Sequence, residues 1–203
     1  MSKLFQHSGT RQSSPAPAEY SVEERDLLLR LAHQAILSAF EDRRLPEVSF
    51  SPHLSELRGV FTTLYLQENL RGCVGYAMPV APLHRAVAET ARAAAVEDSR
   101  FWPVTNEEAP QLKVSLSILS PLVPVRPEDV EVGRHGLVVA LGSHRGLLLP
   151  QVPLEHDWDR ETFLEQTCRK AGLPLNAWRK GATLEAFTAE VFGDEDVALR
   201  TAP

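Results

Sequence analysis

The sequence predicts an α+β fold with a mainly antiparallel sheet. Three observations support this class. Pairs of short apolar segments separated by hairpin-length turns interleave with helical patterns. Apolar and polar residues alternate cleanly over 111–119, which is typical of a strand with one solvated face. No strand-helix alternation with a glycine-rich phosphate-binding loop is present. We therefore expect hairpins to form the sheet and helices to pack on its outside.

The chain is predicted to become ordered at its first helix. Residues 1–19 are rich in Ser and Pro and show no periodicity, which predicts a disordered tail. Ser21 and Glu24 have the spacing of a capping box, and apolar residues then recur at helical spacing through about Phe40.

A hairpin and a second helix follow. β-Branched and aromatic residues predict strands over 57–66 and 70–76, separated by a polar turn at 67–69. Pro82 suits the first turn of a helix, and the alanine-rich segment 91–95 favours its continuation.

The second half repeats this order. After the strand at 111–119, a hairpin is predicted over 137–141 and 146–150. Asp159 can begin a helix that Gly172 ends, and a last strand is predicted over 183–192. A hairpin followed by a helix thus occurs twice, which suggests an internal duplication.

These elements predict a single domain of two lobes over 20–193, followed by a frayed acidic tail over 194–203.

Composition excludes several classes of protein. The apolar fraction of 43% and the charged fraction of 24% are ordinary for a globular domain. The net charge of -6 provides no general attraction to nucleic acid or to an anionic membrane. No apolar run is long enough to span a bilayer, and no signal peptide is evident. With only 2 cysteines, reduced thiols and a cytoplasmic location are expected.

The most informative segment is 70–75, Leu-Arg-Gly-Cys-Val-Gly, within the second predicted strand. Glycine inside a strand usually marks a bulge or a close approach of another group to the backbone. Gly72 and Gly75 flank Cys73, so the backbone around the thiol is predicted to stay bare for a ligand or for another segment.

Arginine-glycine pairs suggest an anion site. Arginine binds carboxylate or phosphate in a bidentate manner, and an adjacent glycine exposes a backbone N–H. If the hairpins share a sheet, the guanidinium groups can converge at one end of it. The alternative is that solvated arginines protect hairpin edges. The pairs are Arg58-Gly59, Arg71-Gly72 and Arg145-Gly146.

Cys73 and His135 are the candidate catalytic residues. Arg71 is expected on the strand face of Cys73, where a cation favours the reactive thiolate. The alternative is that Cys73 is a small core residue, the role predicted for Cys168. His135 precedes Gly136 in a glycine-bounded turn and is the best general acid/base candidate, or else a surface histidine.

No histidines have the paired spacing of a zinc site, so neither a metal nor a cofactor is predicted.

With these residues in view, the chain resembles the AMMECR domain family, which is the protein A component of the AmmeMemoRadiSam system. The resemblance covers about residues 21–192 and rests on the hallmark at 70–75 together with segments at 98–101, 133–137, 146–152 and 168–173. It implies a two-lobed α+β fold whose barrel-like sheet is built from a duplicated strand-and-helix unit. It also implies partnership with a Memo-type protein and a radical S-adenosylmethionine enzyme.

The resemblance marks probable site positions without a settled reaction. We expect a small anion-binding site formed by Arg71, Gly72, Gly75, Gly136 and Arg145 around the candidate catalytic pair. If the protein is an enzyme, Cys73 is the nucleophile or redox thiol and His135 the proton carrier.

Two other functions stay open. One is a non-catalytic adaptor whose strand shapes an interface with the partners. The other is an RNA- or nucleotide-binding module, which the acidic balance disfavours. The expected partners include a small anionic ligand and a homodimer, with no membrane.

Overall fold

The computed structural model describes residues 18–40 and 49–196 and confirms an α+β fold with antiparallel sheets. Most of the predicted N-terminal tail, residues 1–17, and the end of the predicted acidic tail, residues 197–203, lie outside the described residues. The helices are α1 (Val22–Leu37), α2 (Leu83–Val96), α3 (Val152–Glu155) and α4 (Arg160–Lys170). The strands are β1 (Val60–Leu66), β2 (Asn69–Tyr76), β3 (Lys113–Leu119), β4 (Val123–Pro124), β5 (Gly136–Leu141), β6 (His144–Leu148), β7 (Thr183–Phe187) and β8 (Ala189–Gly193).

The described strands form two four-stranded sheets. The first sheet has the order β2-β1-β3-β8, and the second has the order β4-β7-β5-β6. Every neighbouring pair is antiparallel. The barrel-like closure implied by the family resemblance is not confirmed, because the strands pair within two separate sheets.

Each sheet is built around the same unit. A hairpin with a two-residue turn is followed by a helix, and the next strand pairs with the first strand of the hairpin. The unit comprises β1, β2, α2 and β3 in the first half of the chain, and β5, β6, α4 and β7 in the second.

The two units exchange their fourth strands. Instead of one strand over 183–192, the chain forms β7 in the second sheet and β8 in the first, which corrects the prediction. The change occurs at Thr188, whose carbonyl accepts from Ser120 N at 2.9 Å and whose N–H donates to Ser120 Oγ at 3.0 Å. Since β3 continues through Ser120 into β4, the two crossing points are hydrogen-bonded to each other.

The apolar residues form three groups. The largest lies beneath α1 and α2 on the first sheet, and the second lies beneath α4 on the second sheet. A small third group, Leu119, Val138 and Phe187 with Phe61 against it, joins the two sheets. The faces of the two sheets that the helices leave uncovered therefore contact each other through a few large side chains.

The predicted helix starts are confirmed. Ser21 Oγ accepts from Glu24 N at 3.2 Å, and Ser21 N donates to Glu24 Oε2 at 3.0 Å, so the capping box is complete. Asp159 Oδ1 accepts from Thr162 N at 2.8 Å at the start of α4. These caps satisfy backbone donors that a helix start leaves unpaired.

The beginning of the predicted acidic tail is tied to the first sheet. Asp194 Oδ2 accepts from Val114 N at 2.7 Å and lies 3.0 Å from His33 Nε2. Ordered contacts therefore continue past Gly193.

Among the described residues, the helices are all too short or too polar to cross a membrane.

Candidate functional site

The hallmark strand β2 lies at the edge of the first sheet, and a loop that follows α2 caps this edge. Cys73 N donates to Asp98 Oδ2 at 2.8 Å, and Cys73 O accepts from Arg100 Nη2 at 3.0 Å. Arg100 also donates to the Asp98 carboxylate at 2.7 Å. Asp98 and Arg100 thus make the hydrogen bonds that a neighbouring strand would make.

The capping aspartate is held in its charged form. Its side chain is 6% exposed. The hydrogen bonds from Arg100, followed by that from the N–H of Cys73, hold the pKa of Asp98 well below its ordinary value. A charged acceptor at this point strengthens the bond to the strand.

Arg71 fastens the same loop at its other end. It is the unpaired residue at a bulge in β2, between Leu70 and Gly72 in the pairing with β1. Its Nη1 donates to Trp102 O at 2.7 Å, and its Nη2 donates to Glu108 Oε2 at 2.9 Å and to Pro103 O at 3.1 Å.

Glu108 is itself held in place by hydrogen bonds with Thr105. Its Oε2 accepts from Thr105 N at 2.8 Å, and Glu108 N donates to Thr105 Oγ1 at 3.3 Å. The pairing with Arg71 and these local bonds lower the pKa of Glu108. Arg71 therefore binds the protein's own carboxylate and two of its carbonyls.

An open groove of about 640 Å³ lies along this loop, lined by Arg71, Val96 and residues 97–103. We call it the edge groove. Trp102 is 89% exposed, although its backbone carbonyl is held by Arg71. The edge groove thus combines an anchored backbone with a large aromatic side chain in water.

The glycines of the hallmark leave space that other segments of this chain occupy. A Cβ on Gly72 would lie 2.1 Å from the carbonyl oxygen of Ala94 in α2, and one on Gly75 would lie 2.3 Å from the Phe61 ring. The bare backbone around Cys73 accommodates other segments of the chain, which is one of the two predicted explanations.

Cys73 lies in a row of small polar side chains across three strands. Thr63 pairs with Cys73 on one side and with Ser115 on the other. The Cys73 side chain is half-buried, and Thr63 Oγ1 donates to its sulfur at 3.4 Å. Cys168 is fully buried among apolar residues of the second sheet, and burial raises the pKa of its thiol.

His135 lies in the other half of the molecule, just before β5. Its Nδ1 accepts from Glu131 N at 3.1 Å, and burial lowers the pKa of its imidazole. A Cβ on the adjacent Gly136 would lie 2.2 Å from the Phe187 ring, so this glycine also serves packing. No hydrogen bond among the described residues joins His135 to Cys73.

The three arginine-glycine pairs have separate carboxylate partners among the described residues. Arg58 binds Glu19 and Glu56, whereas Arg71 binds Glu108. Arg145 binds Glu185 at 3.0 Å, within the second sheet. Each guanidinium is thus largely neutralised where it lies.

Sequence reasoning missed one group that has the chemistry of metal ligands. Glu19, His53 and Glu56 place ligand atoms within 4.8 Å of one another. Arg58, however, donates to both of these carboxylates, which makes the group an ion-pair cluster around a buried cation.

Asp98, Arg100 and Glu108 were also missed as site residues. Asp98 and Arg100 lie in the segment 98–101, which resembles the family but shows no motif of a known chemistry. Hydrogen bonds from side chains to a strand edge leave no periodic pattern in the sequence.

Comparisons with known proteins agree with this architecture. The family model described as AMMECR1 matches residues 29–192. A protein of Thermococcus gammatolerans is 45% identical over 184 residues, covering 84% of this chain and 90% of its own length. A protein of Aquifex aeolicus is 39% identical over 180 residues, covering 83% and 92%.

A solved structure shows the same fold. The crystal structure of an uncharacterised protein from Pyrococcus horikoshii has 41% sequence identity and a TM-score of 0.70, and covers 83% of this chain and 90% of that one. The family match spans both sheets and includes the hallmark strand. This chain therefore belongs to the AMMECR1 family.

Proposed function

We propose that this protein is a partner-binding adaptor domain and that the edge groove is the surface it presents. The observation that carries the proposal is the 89% exposure of Trp102 on a loop whose backbone Arg71 holds. Tryptophan is among the residue types most enriched at interface positions that dominate binding energy. A fixed backbone lowers the entropy cost of presenting it.

The charges of the edge groove favour a protein surface over a small anion. Arg71 directs all three of its nitrogens to protein acceptors. Arg100 directs Nε and Nη2 to Asp98, and Nη2 also to the carbonyl of Cys73. An anion that bound either guanidinium in a bidentate manner would have to displace one of these acceptors, whereas an apolar or neutral surface would not.

Family resemblance suggests which partners to test. A Memo-type protein and a radical S-adenosylmethionine enzyme are the candidates, and we propose that the domain meets them in the cytoplasm. In this proposal the hallmark strand is the platform on which the recognition loop is fastened.

A thiol-dependent activity at Cys73 is the second candidate function. It is supported by the row of Cys73, Thr63 and Ser115, which places a half-buried sulfur at the end of a line of two hydroxyl groups that offer hydrogen bonds to a small ligand. In this alternative Arg100, which donates to the Cys73 carbonyl, takes the role predicted for Arg71, which binds Glu108 instead.

Calorimetric titration of the full-length protein with each purified candidate partner tests the proposal. Trp102→Ala should weaken binding at least about tenfold with an unchanged fold, because the side chain is almost entirely in water. Val191→Ala is the matched control, since Val191 is 61% exposed on the opposite edge strand of the same sheet.

Cys73→Ala separates the two candidates. An adaptor should bind its partners normally and keep its cellular function with this substitution. Normal binding combined with lost cellular function would favour the thiol. Wild-type affinity in Trp102→Ala would contradict the proposed use of the edge groove.

A further inference from the structure

The second hairpin has an edge that can be compared with the capped edge of the first. β6 pairs only with β5 among the described strands, so it ends the second sheet. Leu141 and His144 close the hairpin across the two-residue turn Gly142-Ser143, and Gly142 has a φ of 61°. In such a hairpin the closing pair is hydrogen-bonded and every second pair thereafter is also bonded.

This register determines which backbone groups face outward. The bonded pairs on β6 are those of His144, Gly146 and Leu148. The N–H and C=O groups of Arg145 and Leu147 therefore point away from β5, toward the free edge. None of these four groups has a partner outside the β5 ladder among the described residues.

The equivalent groups of the first hairpin are capped. Gly72 and Gly146 occupy matching places, because each lies against the backbone at the end of the helix that follows its hairpin, at Ala94 and at Ala171. Cys73 thus corresponds to Leu147. Both backbone groups of Cys73 are bound by Asp98 and Arg100.

The segment that follows α4 lacks charged residues of the kind that cap the edge of the first hairpin. Residues 171–177, which follow α4, contain no charged side chain. Arg145 is the one charged residue of β6 apart from the titratable His144, and its guanidinium binds Glu185 at 3.0 Å. A charge on an edge strand discourages pairing with other chains, and here an internal partner offsets it.

We propose that the free edge of β6 binds an extended segment of a partner polypeptide, which becomes an added strand of the second sheet. Two outward N–H groups and two outward C=O groups at alternate positions are the chemistry that a strand backbone recognises. This proposal is independent of the edge groove.

The surroundings of β6 specify the segment. On the face of α4, the residue beside Gly146 has to be small, because the end of α4 lies directly on this glycine. On the opposite face, Leu147 contributes to the apolar group between the sheets, so the adjacent residue should be apolar.

A second copy of this chain fits this edge less well. β6 has 5 residues, and a symmetric pairing of two such strands would be far smaller than the roughly 1,200 Å² of a stable interface. Such a dimer would also bring its two α4 helices together beside its twofold axis. A single extended segment brings no second α4 helix and needs no second folded surface to fit against the edge.

A synthetic peptide with these features provides the probe. We choose Lys-Thr-Val-Gly-Val-Thr-Lys, which places glycine on the α4 face and both valines on the other. Its N-methylated form at both valines, which cannot donate these hydrogen bonds, is the control. Fluorescence anisotropy with the full-length protein should show that the peptide binds at least tenfold more tightly than the control, with one site per chain.

Two variants locate the site. Arg145→Pro and Leu147→Pro each remove an outward N–H without removing a bond of the β5 ladder, and each should weaken peptide binding at least tenfold. Conversely, the double substitution Asp98→Ala with Arg100→Ala opens the β2 edge and should raise the stoichiometry from one peptide to two.

Amide hydrogen exchange on the wild-type protein avoids any folding defect of the proline variants. The amides of Arg145 and Leu147 should exchange rapidly alone and slow at least tenfold with the peptide. The proposal is overturned if the peptide binds no better than its methylated control, or if these two amides are already protected in the free protein.

Discussion

The two hairpins of this protein share their interior packing but not their outer edges. Both carry an arginine-glycine pair, and both place the glycine against the backbone of the following helix. The first edge is covered by Asp98 and Arg100, whereas the backbone groups of Leu147 on the second have no such cap among the described residues. The comparison indicates that helix-on-sheet contact constrains both copies, while the edge is free to take different roles.

The largest expected effect comes from the shared glycines. Gly72→Ala and Gly146→Ala should each destabilise the fold by about 3 kcal/mol, because the new Cβ would meet helix backbone that cannot move aside. A Cβ would lie 2.1 Å from Ala94 O in the first case and 2.3 Å from Ala171 N in the second. Urea unfolding of each variant measures the loss.

Ser143→Ala, an exposed change in the turn of the second hairpin, should stay within about 0.5 kcal/mol of the wild type and is the control. A neutral result for only one glycine would show that the two copies are packed differently.

The next effect isolates the cap on the first edge. Asp98→Asn should cost about 1–2 kcal/mol near neutral pH, because the Cys73 N–H and Arg100 lose a charged acceptor. The pKa of Asp98 is lower in the folded state, so its contribution is present above the unfolded value of about 3.9 and is lost as the pH falls below it. The difference between wild type and variant should therefore shrink in acid.

Asp129→Asn is the control for this acid dependence. Asp129 also has a lowered pKa from its pairing with Arg126, but both side chains are largely in water. Solvent screening should make its effect clearly smaller. Equal effects for the two aspartates would argue that the cap contributes nothing specific to the strand edge.

The smallest effect contrasts a histidine from each half of the molecule. Partial burial alone would lower the pKa of His53, but hydrogen bonds and charge from Glu24 and Glu19 raise it overall. Burial lowers the pKa of His135. His53 should therefore stabilise the fold below about pH 6.5 and lose this contribution as the pH rises through its folded pKa. His135 should cost stability as the pH falls from about 6.5 toward its folded pKa.

Unfolding free energies of His53→Gln and His135→Gln, measured at several pH values from about 5 to 8, test these signs. Each pH-dependent difference should be less than about 1 kcal/mol, since water screens both sites in part. The same sign for both variants would contradict the assignment of opposite environments.

Local features of the sequence predicted much of the fold. The capping box of Ser21 and Glu24 and the cap at Asp159 are confirmed, because a helix start depends on residues three apart. The core position of Cys168 follows from its apolar helix face. The bulge near Gly72 follows from glycine within a strand.

Features that depend on distant contacts escaped prediction. The chain passes from one sheet to the other at Thr188. This residue is neither a glycine nor a proline, the residue types that most often mark a break in a strand. Nothing local to Arg71 indicates that its partner is Glu108, 37 residues later in the chain. The exposure of Trp102 also escaped prediction, since pattern alone does not separate a buried tryptophan from an exposed one.

The sequence by itself determined the three long helices, the two hairpins, their order and the family, because periodicity, caps and short motifs act over a few residues. Only the tertiary structure decided that the hallmark arginine fastens a loop and that the hallmark glycines admit a helix and an aromatic ring. It also decided that His135 lies next to the second sheet, whereas Cys73 lies in the first. The physical reason is that these outcomes depend on which chain segments meet in space. Such meetings are set by the packing of the whole chain.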